Sequence, residues 1–380
     1  MHDLWVTKRT VRESVGPGFN RLPVRCGSPY VVASRQMNTE MPAAPSSKLR
    51  VAFLGFGNVN RALHSLLEGR RDALASGHGI ECLVTGVASR RNGWLAAAAG
   101  LDPAHPVGIS CRDVCEWLTA SRAQVVFEAI PLEPHTGQPA LDYLRGVLDH
   151  GAHAISANKG PVVYGYRELT ILAAARGVCY RFESAVMDGA PVFSLARDCL
   201  PLAGLCAVRG VFTSTATVVL EAVERGLRFA DGIAEAQRLG IAEADPAYDV
   251  DGWDSSMKLC AVSNVLFGGE LRPSDVVREG IRALDEQRVR QARSAGRPFR
   301  LVGQVERDAA GTITAQVGPV QCAVDGPLGV VRGATLVMHY EADVFPGGLT
   351  IISRDPDPMT TAYGMLTDLI GVVVHQALPG

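Results

Sequence analysis

Arg50-Val51-Ala52-Phe53-Leu54-Gly55-Phe56-Gly57-Asn58-Val59-Asn60 is the stretch from which the fold is read. The apolar run at 51–54 is too short for a helix and predicts a parallel strand buried on both faces. Gly55-x-Gly57 follows, and Ala62, Leu63, Leu66 and Leu67 then recur at helical spacing. Strand, glycine turn and helix in this order suit a dinucleotide. The first glycine permits the tight turn, and the second lets the backbone close on a pyrophosphate at the helix N-terminus. Gly55, Phe56, Gly57, Asn58 and Val59 are the candidate contacts. Asn60 stands where a third glycine usually allows close helix–strand packing, which predicts a small displacement of the helix. Ordinary tight turns share the spacing, so it does not identify a ligand by itself.

Outward from this turn, segments at 81–88, 124–128 and 153–156 predict three further strands, with helices at 138–149 and 166–176. The alternation predicts an α/β fold with a Rossmann-type, doubly wound parallel sheet over residues 49–180. Beyond it come helices at 191–200, 217–225, 232–239 and 252–267, then extended stretches at 300–306, 312–317 and 334–340. These predict a second, α+β domain over residues 181–345. A last helix at 359–374 follows Pro358, with Thr360-Thr361 placed to cap it. Residues 1–48, rich in Gly and Pro and without periodicity, predict a flexible extension. A true start at Met37 or Met41 explains them equally.

The 380 residues carry 37 Lys and Arg against 39 Asp and Glu, a formal charge of −2 with no electrostatic basis for binding nucleic acid. No apolar run reaches the about 18 residues of a membrane span. The nine cysteines are thinly spread, with no CxxC and no zinc-like Cys/His spacing, and predict a reduced, cytoplasmic setting.

Cofactor preference is read at the end of the second strand, Val87-Ala88-Ser89-Arg90-Arg91. It lacks the acid with which NAD enzymes hold the ribose diol. Ser89 and Arg90 suit a 2′-phosphate, favouring NADP(H) over NAD(H). Two solvated loop arginines are the plain alternative.

Three further strings are more specific. They are Ser156-Ala157-Asn158-Lys159-Gly160-Pro161, Phe182-Glu183-Ser184-Ala185-Val186 with Gly189-Ala190-Pro191, and Leu239-Gly240-Ile241-Ala242-Glu243-Ala244-Asp245-Pro246. The last is followed by Asp249-Val250-Asp251-Gly252-Trp253-Asp254 and Met257-Lys258-Leu259. Together the chain resembles the homoserine dehydrogenases over residues 50–380. The resemblance implies an oxidoreductase interconverting L-homoserine and L-aspartate 4-semialdehyde, in threonine and methionine biosynthesis. It implies a homodimer formed through the second domain's sheet, and a final segment, residues 346–380, that returns to the nucleotide domain.

The same resemblance implies roles for single residues. Lys258 and Lys159 stand at the reacting oxygen with Asp254 beside them. Glu243, Asp249, Asp254 and Thr215 surround an amino-alcohol or amino-aldehyde substrate. Ile130 and Lys159 line the cofactor. Glu183, Val186, Asp188 and Gly189 hold a monovalent cation such as Na+, largely through backbone carbonyls.

Hydride transfer at an alcohol carbon also moves a proton at the oxygen, and a group beside that oxygen must hold it. A lysine does so if burial or a neighbouring positive charge lowers its pKa, and two lysines on one oxygen lower each other's. Asp254 and Lys258, four apart, share a helix face, and Asp251 is placed to cap that helix. A simple stabilising ion pair is the alternative. Lys159 lies at the carboxyl end of a strand, where such sheets bind ligands, although a lysine there can merely be solvated. The acids at 243, 245, 249, 251 and 254 suit a substrate ammonium better than a divalent ion, since their spacing is not that of a calcium loop.

Departures from the family cluster near the expected substrate. Thr213-Ser214-Thr215-Ala216-Thr217-Val218 replaces a usual N-G-T-(T/S)-N-Y run, and Ile241 replaces an aromatic. Met187 and Asp188 replace a glycine and a small residue. These leave open a related enzyme for another amino alcohol or amino aldehyde, and a non-catalytic dinucleotide-binding module.

Overall fold

A computed structural model describes residues 48–377; the 1–48 extension therefore lies almost wholly outside the described residues. The chain begins with β1 (Leu49–Leu54), α1 (Asn58–Gly69), α2 (Arg71–His78), β2 (Cys82–Ser89), β3 (Gly93–Ala96) and β4 (Ile109–Cys111). It continues through α3 (Val114–Ser121), β5 (Val125–Glu128), α4 (Ala140–Asp149), β6 (His153–Ser156), α5 (Lys159–Arg176) and β7 (Tyr180–Arg181). These strands make one sheet in the order β4-β3-β2-β1-β5-β6-β7, with β2, β1, β5, β6 and β7 parallel. Because β1 pairs with β2 on one side and β5 on the other, winding reverses at the carboxyl ends of β1 and β5, the place where open sheets bind ligands.

Alternate residues of β1 feed two layers. Val51 and Phe53 pack with Leu63 and Leu67 of α1, whereas Ala52 and Leu54 pack with Leu144 and Trp117 on the other face. Burial on both faces is the physical reason for the unbroken apolar run.

The sheet is mixed rather than wholly parallel. After β2 the chain turns through Arg90, Arg91 and Asn92, and β3 and β4 add antiparallel at the edge. The polar loop residues mask this hairpin in the sequence. α5 starts at Lys159, well before residue 166, because the Asn158 side chain accepts from the Gly160 N–H and caps it.

The second half contains α6 (Val192–Ser194), β8 (Leu205–Val211), α7 (Ser214–Glu224), α8 (Phe229–Arg238), α9 (Ala247–Val250), α10 (Trp253–Leu266) and β9 (Val277–Arg278). Then come α11 (Glu286–Ser294), β10 (Phe299–Arg307), β11 (Ile313–Gln321), β12 (Leu336–Ala342), β13 (Phe345–Ser353) and α12 (Pro358–Ala377). The strands form a six-stranded sheet, β13-β12-β8-β10-β11-β9, against which α7 and α10 pack. Five elements here escape the sequence pattern: the short α9 and β9, and three longer ones. β8 carries Arg209, which pairs with Glu341 of β12; β13 contains Pro346, Gly347 and Gly348; α11 is charged on most of its surface.

α12 returns to the first sheet: Ala362, Met365, Leu366 and Leu369 share a core with Val51, Phe53 and Leu63. Its cap is Asp357 rather than Thr360-Thr361. The Asp357 carboxylate accepts from the Met359 and Thr360 N–H groups at 2.9 Å each, and the Thr360 hydroxyl accepts from the Asp357 N–H. Among the described residues no helix is long and apolar enough to cross a membrane.

Candidate active site

The glycine turn has the form a dinucleotide requires. Gly55 has φ +83, and a Cβ there would lie 2.7 Å from the Ala129 carbonyl oxygen and 2.9 Å from Ile130 Cγ2. Only glycine combines that conformation with that approach. Gly57 precedes α1 without a side-chain cap, and a Cβ built on it meets nothing within 4 Å. No side-chain cap takes up the first-turn N–H groups, which leaves them for a pyrophosphate. Asn60 fills the third glycine's place with a buried amide that donates to the carbonyls of Gly55 (2.5 Å) and Phe127 (3.2 Å), tying α1 to β1 and β5. Phe56, Val59 and Ile130 are half-buried, and Asn58 is exposed. The Ser89 hydroxyl accepts from the Asn92 N–H at 3.1 Å within the hairpin turn, and Arg90 stands exposed beside it. These residues fit a nicotinamide dinucleotide.

Lys159, first residue of α5, and Lys258, on α10, meet at one group. Asp254 Oδ1 lies 3.1 Å from Lys159 Nζ, and Asp254 Oδ2 lies 3.0 Å from Lys258 Nζ. Lys258 also donates to the Phe212 carbonyl at 2.6 Å. The three side chains are only 12–17% exposed, so their charges interact through little solvent. Burial opposes the Asp254 charge, yet the two ammonium groups hold its pKa well below the usual carboxylate range. For Lys258, burial works to lower the pKa, but Asp254, Asp188 and Asp249 outweigh it and raise the value. The expectation that converging lysines depress one another therefore fails for Lys258, because a carboxylate stands between them.

Of the five neighbouring acids, the structure gathers two. Asp249 accepts from the Thr215 hydroxyl at 2.6 Å; burial and the nearby Asp254 charge raise its pKa, with both lysines opposing. Glu243 is exposed on the loop between α8 and α9. Asp245 accepts from the Ala247 N–H. Asp251 does not cap α10: Gly252 occupies that position, and the Asp251 carboxylate pairs with Arg282 at 2.6 Å. Among the described residues no group of three or more His, Cys, Asp or Glu side chains is placed to hold a metal.

The segment 183–189 is tightly built. Both Glu183 carboxylate oxygens accept backbone N–H groups, from Phe193 at 2.7 Å and Ser194 at 2.8 Å, and burial pushes the Glu183 pKa up. Val186 is fully buried, and Asp188 adopts φ +49. Gly189 has φ +86, and a Cβ there would sit 2.2 Å from the Thr360 carbonyl oxygen of α12.

Two residues were not singled out by the sequence. Glu128 ends β5 fully buried beside Asn158, its position signalled only by an acid closing the run Val125-Val126-Phe127. Tyr248 carries a buried hydroxyl without a partner, within electrostatic range of Asp254 and Asp249. No sequence pattern marks it.

Known proteins of one kind share this architecture. A family profile described as homoserine dehydrogenase matches residues 191–370. The chain is 31% identical over 345 residues to a NAD(+)-dependent homoserine dehydrogenase of Pseudomonas canavaninivorans, covering 87% of this chain and 97% of that protein. A homoserine dehydrogenase structure from Thiobacillus denitrificans aligns with TM-score 0.76 and 26% identity over 87% of this chain and 74% of that one. A hyperthermophilic archaeal homoserine dehydrogenase mutant in complex with NADPH aligns with TM-score 0.72 and 24% identity, over 88% of this chain and 99% of that one, which shows the shared fold. The chain belongs to the homoserine dehydrogenase family and is a dinucleotide-dependent dehydrogenase of that type.

Proposed function

We propose that the enzyme interconverts L-homoserine and L-aspartate 4-semialdehyde, with NADP(H) preferred over NAD(H). The observation that carries the reading is the convergence of Lys159 and Lys258 on Asp254, linked to the glycine turn through Ala129, Ile130 and Asn158. A nicotinamide dinucleotide whose pyrophosphate is held at this turn would supply or accept the hydride. In the reducing direction the Lys258 ammonium gives a proton to the carbonyl oxygen as the new C–H bond forms, leaving a hydroxyl and a neutral amine that solvent reprotonates. Asp254 keeps Lys258 charged, which suits this donor role; the reverse reaction draws on the small neutral fraction. Lys159 offers a second positive charge where alkoxide character develops. Asp249, Asp254 and Thr215 hold the substrate's amino end, an anionic arrangement complementary to an ammonium; the exposed Glu243 stands apart from them.

A second substrate is favoured by Ser214 and Ile241, which depart from the family pattern near the expected substrate: another amino aldehyde, reduced by the nicotinamide with the same lysines handling the proton. Preference for NADP(H) rests on Arg90 in the hairpin turn and the missing acid at the end of β2. Glu183, Val186, Asp188 and Gly189 are assigned to a monovalent cation held mainly by backbone carbonyls. Exposed Val277, Val320, Phe345 and Ile352 on the strands of the second sheet support a homodimer through that sheet. The free cysteines support a cytoplasmic setting. A panel of small amino aldehydes, including aspartate 4-semialdehyde, assayed with NADPH and NADH side by side, tests the reading. Turnover of none of them with either cofactor refutes it.

A further inference from the structure

Glu128 is a carboxyl group with no exposed surface and no cation among its hydrogen-bond partners. Burying such a group is unfavourable unless its oxygens are well satisfied. Three donors meet it. The Ile130 N–H lies 2.9 Å from Oε1, the Asn158 side-chain amide lies 3.3 Å from the same oxygen, and the Ser156 hydroxyl donates to Oε2. Burial raises its pKa against the pull of these donors.

What these donors do next makes the residue more than a satisfied core acid. Ile130 forms the wall against which Gly55 packs. Asn158 caps α5, accepting from the Gly160 N–H at 3.0 Å, and the Ser156 hydroxyl accepts from the Asn158 N–H at 3.0 Å. Oε1 accepts here whether or not Oε2 carries a proton, so it turns the Asn158 NH2 inward and aims its Oδ1 at the helix start. The next residue is Lys159, whose ammonium reaches Asp254.

We propose that Glu128 is a positioning residue that locks the cofactor-side wall at Ile130 to the start of α5, and through Asn158 fixes where Lys159 stands. This deepens the hydride-transfer reading and rests on it. The carboxyl touches neither substrate nor the reacting oxygen; it acts by holding two functional segments at one separation. Displacement of a proton-handling group by about 1 Å costs up to about 100-fold in rate.

The test uses the full-length enzyme and four variants: Glu128→Gln, Glu128→Ala, Asn158→Ala and Lys159→Met. Glutamine keeps an acceptor for both Ile130 and Asn158, so kcat stays within about threefold of wild type, whereas alanine removes all acceptors and lowers kcat by about tenfold or more. The dissociation constant for NADPH stays near wild type in Glu128→Gln and rises in Glu128→Ala by less than kcat falls, since the Ile130 wall is loosened as well. In the Lys159→Met background, Glu128→Ala adds no further loss, as coupled residues require. A readout without substrate is the 13C signal of reductively methylated Lys159, assigned by its absence from Lys159→Met. It moves in Glu128→Ala and stays in Glu128→Gln. If Glu128→Ala does not fold, Asn158→Ala breaks the relay at its middle and moves the same signal. An unmoved signal in both alanine variants, or fully additive losses of kcat, overturns the proposal. A moved signal in an enzyme that reduces no amino aldehyde upholds the positioning role and refutes the hydride-transfer reading instead.

Discussion

Lys159 and Lys258 hold opposite oxygens of the Asp254 carboxylate, at 3.1 and 3.0 Å, one lysine at the start of α5 just after β6 of the first sheet and the other on α10, the helix packed on the second sheet. The carboxylate offsets the repulsion between two buried cations and is also what keeps Lys258 protonated. The placing of both lysines and the electrostatics of the site therefore depend on one residue.

Replacing Asp254 with Asn exposes that dependence. With the carboxylate gone, burial and the neighbouring ammonium both lower the Lys258 pKa, so the alkaline limb of the kcat/KM profile moves to lower pH. Breaking a buried pair also costs about 3–5 kcal/mol, read as a lower urea midpoint. The wild-type pH dependence has a definite sign. Asp254, depressed on folding, stabilises above the ordinary aspartate range, and that contribution is lost as pH falls through its folded value. Lys258, raised on folding, stabilises below the ordinary lysine range and loses this as pH rises through its folded value. Across neutral pH the contribution of Asp254 and Lys258 is flat.

Lys258→Met and Lys159→Met separate proton handling from binding. Each lowers kcat by about 10²–10⁴-fold, the usual worth of acid–base catalysis. The NADPH dissociation constant, measured by fluorescence titration, stays near wild type. A fall in cofactor affinity equal to the fall in kcat contradicts the assignment.

Gly55→Ala places a methyl group 2.7 Å from the Ala129 carbonyl oxygen in a left-handed backbone conformation. Strain of about 1–3 kcal/mol lowers the melting temperature, and the shifted turn abolishes detectable cofactor binding by calorimetry.

Arg90→Ser tests cofactor preference. Loss of a charge-assisted bond to a 2′-phosphate weakens NADPH binding by about tenfold or more and leaves NADH binding unchanged. Equal effects on both cofactors return Arg90 to the solvated surface.

Tyr248→Phe removes a buried hydroxyl that has no protein partner. Stability in the absence of substrate holds or rises by about 1 kcal/mol. The KM for the amino aldehyde increases, because the substrate's polar end supplies the missing partner.

Much of this was legible in the residues. The unbroken apolar run before Gly55 declares a strand covered on both faces, and the i,i+4 spacing of Asp254 and Lys258 declares one helical face. Neither fact reveals that Lys159 reaches the same carboxylate, since that contact depends on how the second sheet seats α10 against α5. The edge hairpin of β3 was hidden because its turn, Arg90-Arg91-Asn92, has the composition of any solvated loop. Asp251 looked like a cap, but Arg282, thirty-one residues later, draws it away. Glu128 gave almost no signal, because a buried acid is recognised by its partners, and Ser156, Asn158 and Ile130 meet it only after the strands align.

α12 completes the core beneath β1, with Met365, Leu366 and Leu369 against Val51 and Phe53. During synthesis on the ribosome these early strand residues emerge long before their final cover exists. The first sheet therefore keeps an apolar flank open to water until α12 has been made and has docked, more than three hundred residues after β1.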